Sequence, residues 1–463
     1  MHCAPVTRKS PRPRPAAPNR NRKRIGGKLK PVRIALLGCG TVGGGVVKLL
    51  LRNPDKYERI LGAPLELAVV ADRSLKPDDV PGLPAKLITR DAAAAVTRPD
   101  IDIVVELFGG HEPARALIMK ALAAGKDVVT GNKALLAEHG SEIFRAAGKR
   151  GLAVGFEASV GGGVPIIRTL REALAGDRQR AVYGIVNGTC NSILTTMTEN
   201  GVEFGAALAD AQAKGLAEAN PATDVEGHDS AHKLCLLVTL AFGVMVKPAQ
   251  IYTEGITQIT QADIEYAREL GYAIKLLAIG KDDDGAIEAR VHPTMIPQRH
   301  MLAGVGGAFN AIYIHGDALG ATMYSGLGAG EMPSATAVMA DVLEIARHRM
   351  AEGSARTHAF GFPIRLMKGA SVKPMDDVVC EYYLRFTARD KPGVLGAIAS
   401  VLGKHGLSIA SVIQKDRGAA REVPVIMRTH DAPERSLKRA LAEIRKKKIV
   451  QSAPAFIRIE ENL

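Results

Sequence analysis

From residue 32 onward the chain alternates short apolar runs with stretches of helical spacing. VRIALLGCGTVG (32–43) reads as a buried strand entering a tight turn and then a helix, continued by VVKLLL. LELAVVADR is the next strand. DIVVELFGG leads into a helix over 113–124, KDVVTGNK into one over 134–149, and GLAVGFEAS closes the series. Strands that are apolar throughout, each followed by a helix, predict a doubly wound parallel sheet over about residues 31–155.

From about 156 to 330 longer helices alternate with strand-like AVYGIVN, LLAIGK and AIEARVHPTMI, as in a mixed α+β domain that also carries a subunit interface. SGLGAGEMPSATAVMADVLEIAR (325–347) predicts a second ligand-facing glycine turn, at Gly328, entering a helix that returns to the first sheet. Glycine and proline breaks over 351–378 predict a flexible linker. Residues 380–463 read as a separate module. CEYYLRFTA, SIASVIQK, EVPVIMRTH and PAFIRIE are its strands, and the helices after RDKPGVL and at SLKRALAEIRKK give the order βαββαβ.

Candidate chemistry lies where these elements meet. Gly38, Gly40 and Gly43 have the GxGxxG spacing, with Thr41 and Val42 between the second and third. The first glycine allows the turn, the second admits a pyrophosphate, and the third lets helix pack on strand. Asp72 and Arg73 end the next strand, where an acid would meet an adenosine ribose and an arginine a 2′-phosphate, so NAD and NADP both fit. The loops at Gly109-Gly110 and Gly131-Asn132-Lys133 sit at carboxyl ends of strands, where such sheets bind ligands. Lys133 is therefore a candidate cofactor or substrate contact.

The densest cluster is LAEANPATDVEGHDSAHK (216–233), which runs straight into LCLLVTLAFGV. Asp224 is predicted as the N-cap of a helix from about Val225 through Leu237. On it Asp229 and Lys233 share a face at i,i+4, and Glu218 lies on the loop before. Such a set can hold a substrate ammonium and deliver a proton to a carbonyl oxygen. Cys190 in NGTCNS is a rival nucleophile for a cysteine-dependent semialdehyde dehydrogenase, but no adjacent base is evident. His228 and His232 have a zinc-compatible spacing without a third ligand.

Composition narrows the class. The 463 residues are 46% hydrophobic and 24% charged, and no apolar segment reaches the ~18–20 residues of a membrane helix. The five cysteines include no CxxC pair, which suits a reducing compartment, here taken as cytoplasmic. Of the net charge of +13, residues 1–30 carry +10 and the remaining chain only +3. That Pro- and Arg-rich stretch predicts a disordered, solvated extension without the apolar region of a secretory signal. A nucleic-acid partner is not expected. A non-catalytic amino-acid sensor is the alternative from another class, and it leaves the glycine turn and the carboxylate–lysine cluster without a role.

The βαββαβ module with DKPGVL (390–395) at its first turn resembles the ACT domain. Together with VTGNKALLA (129–137), FEASVGGGVPII (156–167), YGIVNGTCNSILTTM (183–197), GLAEANPATDVEGHDSAHKL (215–234) and GLGAGEMPSA (326–335), the chain resembles homoserine dehydrogenase in its long form with a C-terminal ACT domain. The resemblance implies an α/β fold with four parts. These are a Rossmann-type domain (31–155, completed by about 330–350), a mixed α+β catalytic and dimerisation domain (156–330), the linker (351–378), and a ferredoxin-like ACT regulatory domain (379–463). It implies NAD(P)-dependent interconversion of L-aspartate 4-semialdehyde and L-homoserine, on the route to threonine, isoleucine and methionine, in a homodimer or homotetramer. By the same resemblance Lys233 is the proton donor and Asp229 its partner, Glu218 and Asp224 bind substrate, and Lys133 contacts cofactor and substrate. Glu157 with the carbonyls of Val160, Gly162 and Val164 matches a monovalent-cation site, usually sodium. Asp390 and Gly393 mark the effector turn, with threonine as the expected effector. Ala219-Asn220 and Thr223 depart from the family pattern beside the carried-over positions, which bears on loop shape.

Overall fold

The structure, a computed structural model, describes residues 24–25, 28–351, 358–414 and 422–463. Residues 1–23, 26 and 27 of the extension expected to be disordered lie outside them. Within that extension Arg24–Ile25 pairs antiparallel with Lys28–Leu29.

Six parallel strands form the first sheet: β1 (Val32–Leu37), β2 (Leu65–Ala71), β3 (Ile88–Thr89), β4 (Ile103–Glu106), β5 (Asp127–Thr130) and β6 (Val154–Gly155). Their order β3-β2-β1-β4-β5-β6 reverses direction beside β1, which opens a crevice at the carboxyl ends of the strands. Side chains alternate between two cores. Ile34 and Leu36 pack with Val46 and Val47 of helix α1 (Thr41–Arg52). Ala35 and Leu37 share the other core with α2 (Ala114–Ala123) and α3 (Lys133–Lys149).

The second sheet has eleven strands, and its main path contains β7 (Gln179–Ile185), β8 (Tyr272–Asp283), β9 (Ala286–Pro297), β10 (Phe309–Gly316) and β11 (Gly320–Leu327). Helices α4 (Gly188–Asn200) and α5 (His228–Phe242) bury their apolar faces in the same large core as the first sheet's second face. The chain then returns through α6 (Glu331–Met350), which lies against α1. Gly45 permits that approach, because a Cβ there would sit 2.9 Å from the Ala335 Cβ and from the Glu331 carbonyl oxygen.

The C-terminal βαββαβ unit comprises β12 (Val379–Arg389), α7 (Val394–Lys404), β13 (Ile409–Gln414), β14 (Glu422–Thr429), α8 (Glu434–Lys446) and β15 (Ala455–Ile459). It has its own core around Tyr382, Leu384, Phe386, Ile398 and Leu437. Its sheet, however, continues the second one. The sheet order is β11-β10-β7-β8-β9-β15-β12-β14-β13, and β9 pairs in parallel with β15 at Thr294–Arg458 and Met295–Ile459. Buried charges lock the junction. Arg458 Nε donates to Glu434 at 2.6 Å and its Nη1 to Glu254 at 2.8 Å, and Arg290 pairs with Glu460. The stretch expected as a flexible linker also packs where it is described. Phe360 stacks edge-on against Phe144 at 4.5 Å, and Gly369 and Val372 form bridges with Met245 and Ile287.

Candidate active site

The glycine turn is shaped for close approach. Gly38 has φ 88°, and a Cβ there would lie 2.9 Å from the Leu107 carbonyl. A Cβ at Gly43 would collide with the Gly38 oxygen, whereas Gly40 faces open space. Helix α1 starts at Thr41 with no side chain capping its first N–H groups, so Thr41 and Val42 present free donors of the kind that bind phosphate. A dinucleotide pyrophosphate fits this cradle. Gly109, at φ 74°, lies in the loop after β4. Asn132 ties that loop to the next, donating to the Gly110 carbonyl at 2.6 Å while its Oδ1 caps α3.

Asp72 is already engaged. Its carboxylate accepts from the Cys39 N–H (2.8 Å), the Ser74 N–H (2.8 Å) and hydroxyl (3.1 Å), and the Leu75 N–H (3.1 Å). Burial acts to raise its pKa, but these donors outweigh it and hold the carboxyl below the ordinary range. Arg73 beside it is exposed.

Asp224 does not cap α5. It lies inside a one-turn helix, Ala222–Val225, and Gly227 in the left-handed region (φ 87°) separates that turn from α5. Glycine is required at the break, because its backbone is left-handed and a Cβ there would press on Thr253 and Val291. Asp229 thus falls in the first turn of α5, where the helix dipole favours a carboxylate.

Four of the expected residues converge. Lys233 Nζ, in a side chain only 11% exposed, donates to Asp229 Oδ2 at 2.7 Å and to the Val186 carbonyl at 2.6 Å. Lys133, from the first domain, places its Nζ 3.1 Å from Asp229 Oδ1. Burial opposes the ionised form of Asp229, yet Lys233 and Lys133 together hold its pKa well below the usual carboxylate value. The same carboxylate is the largest cause of the raised pKa of Lys133, with Asp224 and Glu218 adding to it. Asp224 is half-buried and its pKa is raised, first by burial and then by Asp229. Glu218 is exposed, and only its charge reaches Lys133.

Two asparagines escaped the sequence reading. Asn187 Nδ2 donates to both Asp224 Oδ1 (2.7 Å) and Asp229 Oδ2 (2.9 Å), and Asn310 Nδ2 donates to the Val186 carbonyl at 3.0 Å. Asn187 stands between a strand and a helix, a pattern that marks an N-cap, but nothing local points to the carboxylates. Asn310 underlies Gly328, where a Cβ would meet its amide at 2.1 Å. The second glycine turn therefore abuts the strand end that holds Lys233.

Cys190 is buried, and desolvation, with Asp224 and Asp229 adding, pushes its thiol well above the ordinary value. Its Sγ lies 3.2 Å from the Asp224 carbonyl. His228 is exposed beside Glu226, and His232 is half-buried with its pKa lowered by burial. In the 157–164 loop the Glu157 side chain accepts from the Ile167 and Arg168 N–H groups, both at 2.9 Å. Val160 and Val164 are buried, and Gly161 and Gly162 have positive φ. Asp390 and Gly393 (φ 90°, preceding α7) lie at the β12–α7 turn.

Comparison with known proteins agrees with this architecture. The family model for homoserine dehydrogenase matches residues 165–343, that for the homoserine dehydrogenase NAD-binding domain residues 38–157, and that for the ACT domain residues 382–448. A homoserine dehydrogenase of Neisseria gonorrhoeae is 42% identical over 433 residues, covering 93% of this chain and 99% of the relative. A crystal structure of a homoserine dehydrogenase from Thiobacillus denitrificans superposes with a TM-score of 0.88 at 43% identity, over 93% of this chain and 99% of that one. A hyperthermophilic archaeal homoserine dehydrogenase in complex with NADPH aligns with a TM-score of 0.59 at 25% identity, over 68% of this chain and 98% of that one. With an NAD(P)-binding Rossmann-type sheet, a mixed catalytic sheet and a C-terminal ACT unit, this chain belongs to the homoserine dehydrogenase family of oxidoreductases.

Proposed function

We propose that the chain reversibly reduces L-aspartate 4-semialdehyde to L-homoserine, with Lys233 as the proton donor, on the route to threonine, isoleucine and methionine in the cytoplasm. The observation that carries this reading is the buried Lys233 ammonium. Two of its three hydrogens are spent on Asp229 and the Val186 carbonyl, which leaves one for a substrate oxygen. The reduced nicotinamide supplies the hydride when bound. Lys233 protonates the aldehyde oxygen as that carbon is reduced, and Asp229 fixes where the ammonium points. Asp224, with one oxygen left beyond its bond to Asn187, anchors the substrate α-ammonium, and the charge of Glu218 at the rim adds to that attraction. Lys133 completes the site from the nucleotide domain.

Engagement of Asp72 by four protein donors, three on Oδ1 and one on Oδ2, together with an exposed Arg73, favours NADP over NAD. For the 157–164 loop we propose a sodium-type cation held by Glu157 with the backbone carbonyls of Val160, Gly162 and Val164. The Glu157 carboxylate, engaged by two N–H groups, shapes that loop. The divisions at about 31–155, 156–330 and 379–463 are read as nucleotide, catalytic and regulatory parts of a homodimer or homotetramer. Threonine is read as an effector at Asp390 and Gly393. The test is a spectrophotometric assay with homoserine and NADP or NAD, with and without threonine. Absence of homoserine-dependent cofactor reduction by the wild-type enzyme overturns the reading.

The cysteine-dependent alternative is disfavoured by the burial and raised pKa of Cys190, which leave it a thiol.

A further inference from the structure

Asn187 occupies the point where β7 ends and α4 begins, and every polar atom of its side chain is committed. Oδ1 accepts the Cys190 N–H at 2.8 Å, capping α4, while Nδ2 spans Asp224 Oδ1 and Asp229 Oδ2. Its neighbour Val186 holds Lys233 through the carbonyl. One dipeptide therefore grips the ammonium through an oxygen and two carboxylates through a nitrogen. Its backbone is itself braced. A Cβ at Gly188 would sit 2.8 Å from the Ala308 oxygen, and Asn191 Nδ2 holds the Gly307 carbonyl at 2.9 Å.

We propose that Asn187 is a positioning residue for the dehydrogenase reaction: its amide clamps Asp224 and Asp229 side by side, so that one Asp224 oxygen stays turned toward the substrate ammonium. The inference rests on the reading of Asp224 given above. Two carboxylates that reach one nitrogen repel each other, and the charged groups facing them are Lys233 and Lys133, both ion-paired to Asp229. The other titratable groups beside them are the half-buried His232, its pKa lowered by burial, and the buried Cys190 thiol. Among the described residues the amide is the only group that donates to both. Without it Asp224, which no lysine contacts and on which Lys233 and Lys133 act only at longer range, loses the hydrogen bond that fixes its orientation.

The test uses the full-length enzyme with Asn187→Ser and Asn187→Asp. Serine and aspartate both cap helices well, so α4 keeps its cap in each. Serine has one short donor and cannot span the two acids. Its KM for homoserine should rise at least tenfold, with kcat within about fivefold and the KM for NADP within twofold of wild type. Ionised aspartate replaces the donor by an acceptor and adds a third negative charge beside the two acids; protonation removes that charge and restores one of the amide's two donors. Its kcat/KM relative to wild type should therefore recover in part as pH falls from 9 to 6, which loss of a merely structural contact would not produce. A homoserine KM within twofold of wild type in Asn187→Ser overturns the proposal, as does a pH-independent ratio for Asn187→Asp. If the aspartate variant does not fold, the serine variant decides alone. Asp224→Asn is the control. If it leaves the homoserine KM unchanged, the underlying reading of Asp224 fails. If it raises KM while the Asn187 variants do not, only the clamp fails.

Discussion

Lys133 and Asp229 meet across the boundary between the two sheets, with Nζ 3.1 Å from Oδ1. The same carboxylate holds Lys233 on its other oxygen, so one aspartate orders two ammonium groups from different domains. The lysines differ in surroundings: the Lys133 side chain is 40% exposed, that of Lys233 only 11%. The buried one suits proton transfer, because its position is fixed. Lys233→Ala should lower kcat by about two to four orders of magnitude, the usual contribution of general acid catalysis. Lys133→Ala should act more on the KM values of homoserine and cofactor. Steady-state kinetics in both directions checks this, and a larger kcat loss in Lys133→Ala would exchange the two roles.

Asp224 should set an acid limit to substrate binding. Its pKa is raised by burial and by Asp229, so it becomes neutral at a higher pH than an ordinary carboxylate. Below that pH the attraction for the α-ammonium is lost. The KM for homoserine should therefore climb as pH falls, and Asp224→Asn should have a high KM with the climb abolished. Glu218→Gln, at the exposed rim, should raise KM more modestly, within about fivefold, as befits a screened charge. A pH-independent KM in wild type would remove Asp224 from the binding site.

How much of this was legible depends on the distance in sequence over which each feature is built. The Gly38–Gly43 turn and the Asp229–Lys233 pair are local, and spacing alone locates them. The helix start was misread because Asp224 has the chemistry of a cap, while Gly227 is imposed by Thr253 and Val291, which approach from far along the chain. Asn187 reaches acids 37 and 42 residues away. The β9–β15 pairing joins segments more than 160 residues apart, and no composition signal reports it. The C-terminal unit looks independent in sequence because its βαββαβ order is complete. Only the outer edge of its sheet reveals the junction.

Cofactor choice can be tested at Arg73. Asp72 keeps its charge but is engaged by Cys39, Ser74 and Leu75, and the exposed Arg73 beside it is the group placed to meet a 2′-phosphate. Arg73→Ala should raise the KM for NADP about tenfold or more, while the KM for NAD changes less than twofold. Equal effects on both cofactors would place the arginine away from the 2′-phosphate.

Cys190→Ser should retain most activity. The thiol is buried and its pKa is pushed up, so it is not a nucleophile, and a hydroxyl can still donate to the Asp224 carbonyl where Sγ does now. The expected kcat is within about threefold of wild type. Complete loss, with the fold intact by circular dichroism, would revive a covalent thiohemiacetal route.

The C-terminal ACT unit should not be removable without cost to the rest of the chain. β15 is hydrogen-bonded into the catalytic sheet, and its neighbour Glu460 is buried with Arg290 and with Lys281, at 2.7 Å from the latter. Breaking a buried pair by removing one partner costs about 3–5 kcal/mol, because the other charge stays buried. Glu460→Ala should lower the unfolding free energy by that order, and truncation after residue 375 should yield an aggregating or inactive chain rather than a desensitised enzyme. The proposed action of threonine is better probed at the turn itself. Gly393 has φ 90° and open space around a would-be Cβ, so Gly393→Val strains the backbone at that turn and leaves the junction untouched. The expected outcome is wild-type kcat with weakened threonine inhibition. A soluble, fully active truncation would show that the shared sheet contributes nothing to the catalytic fold.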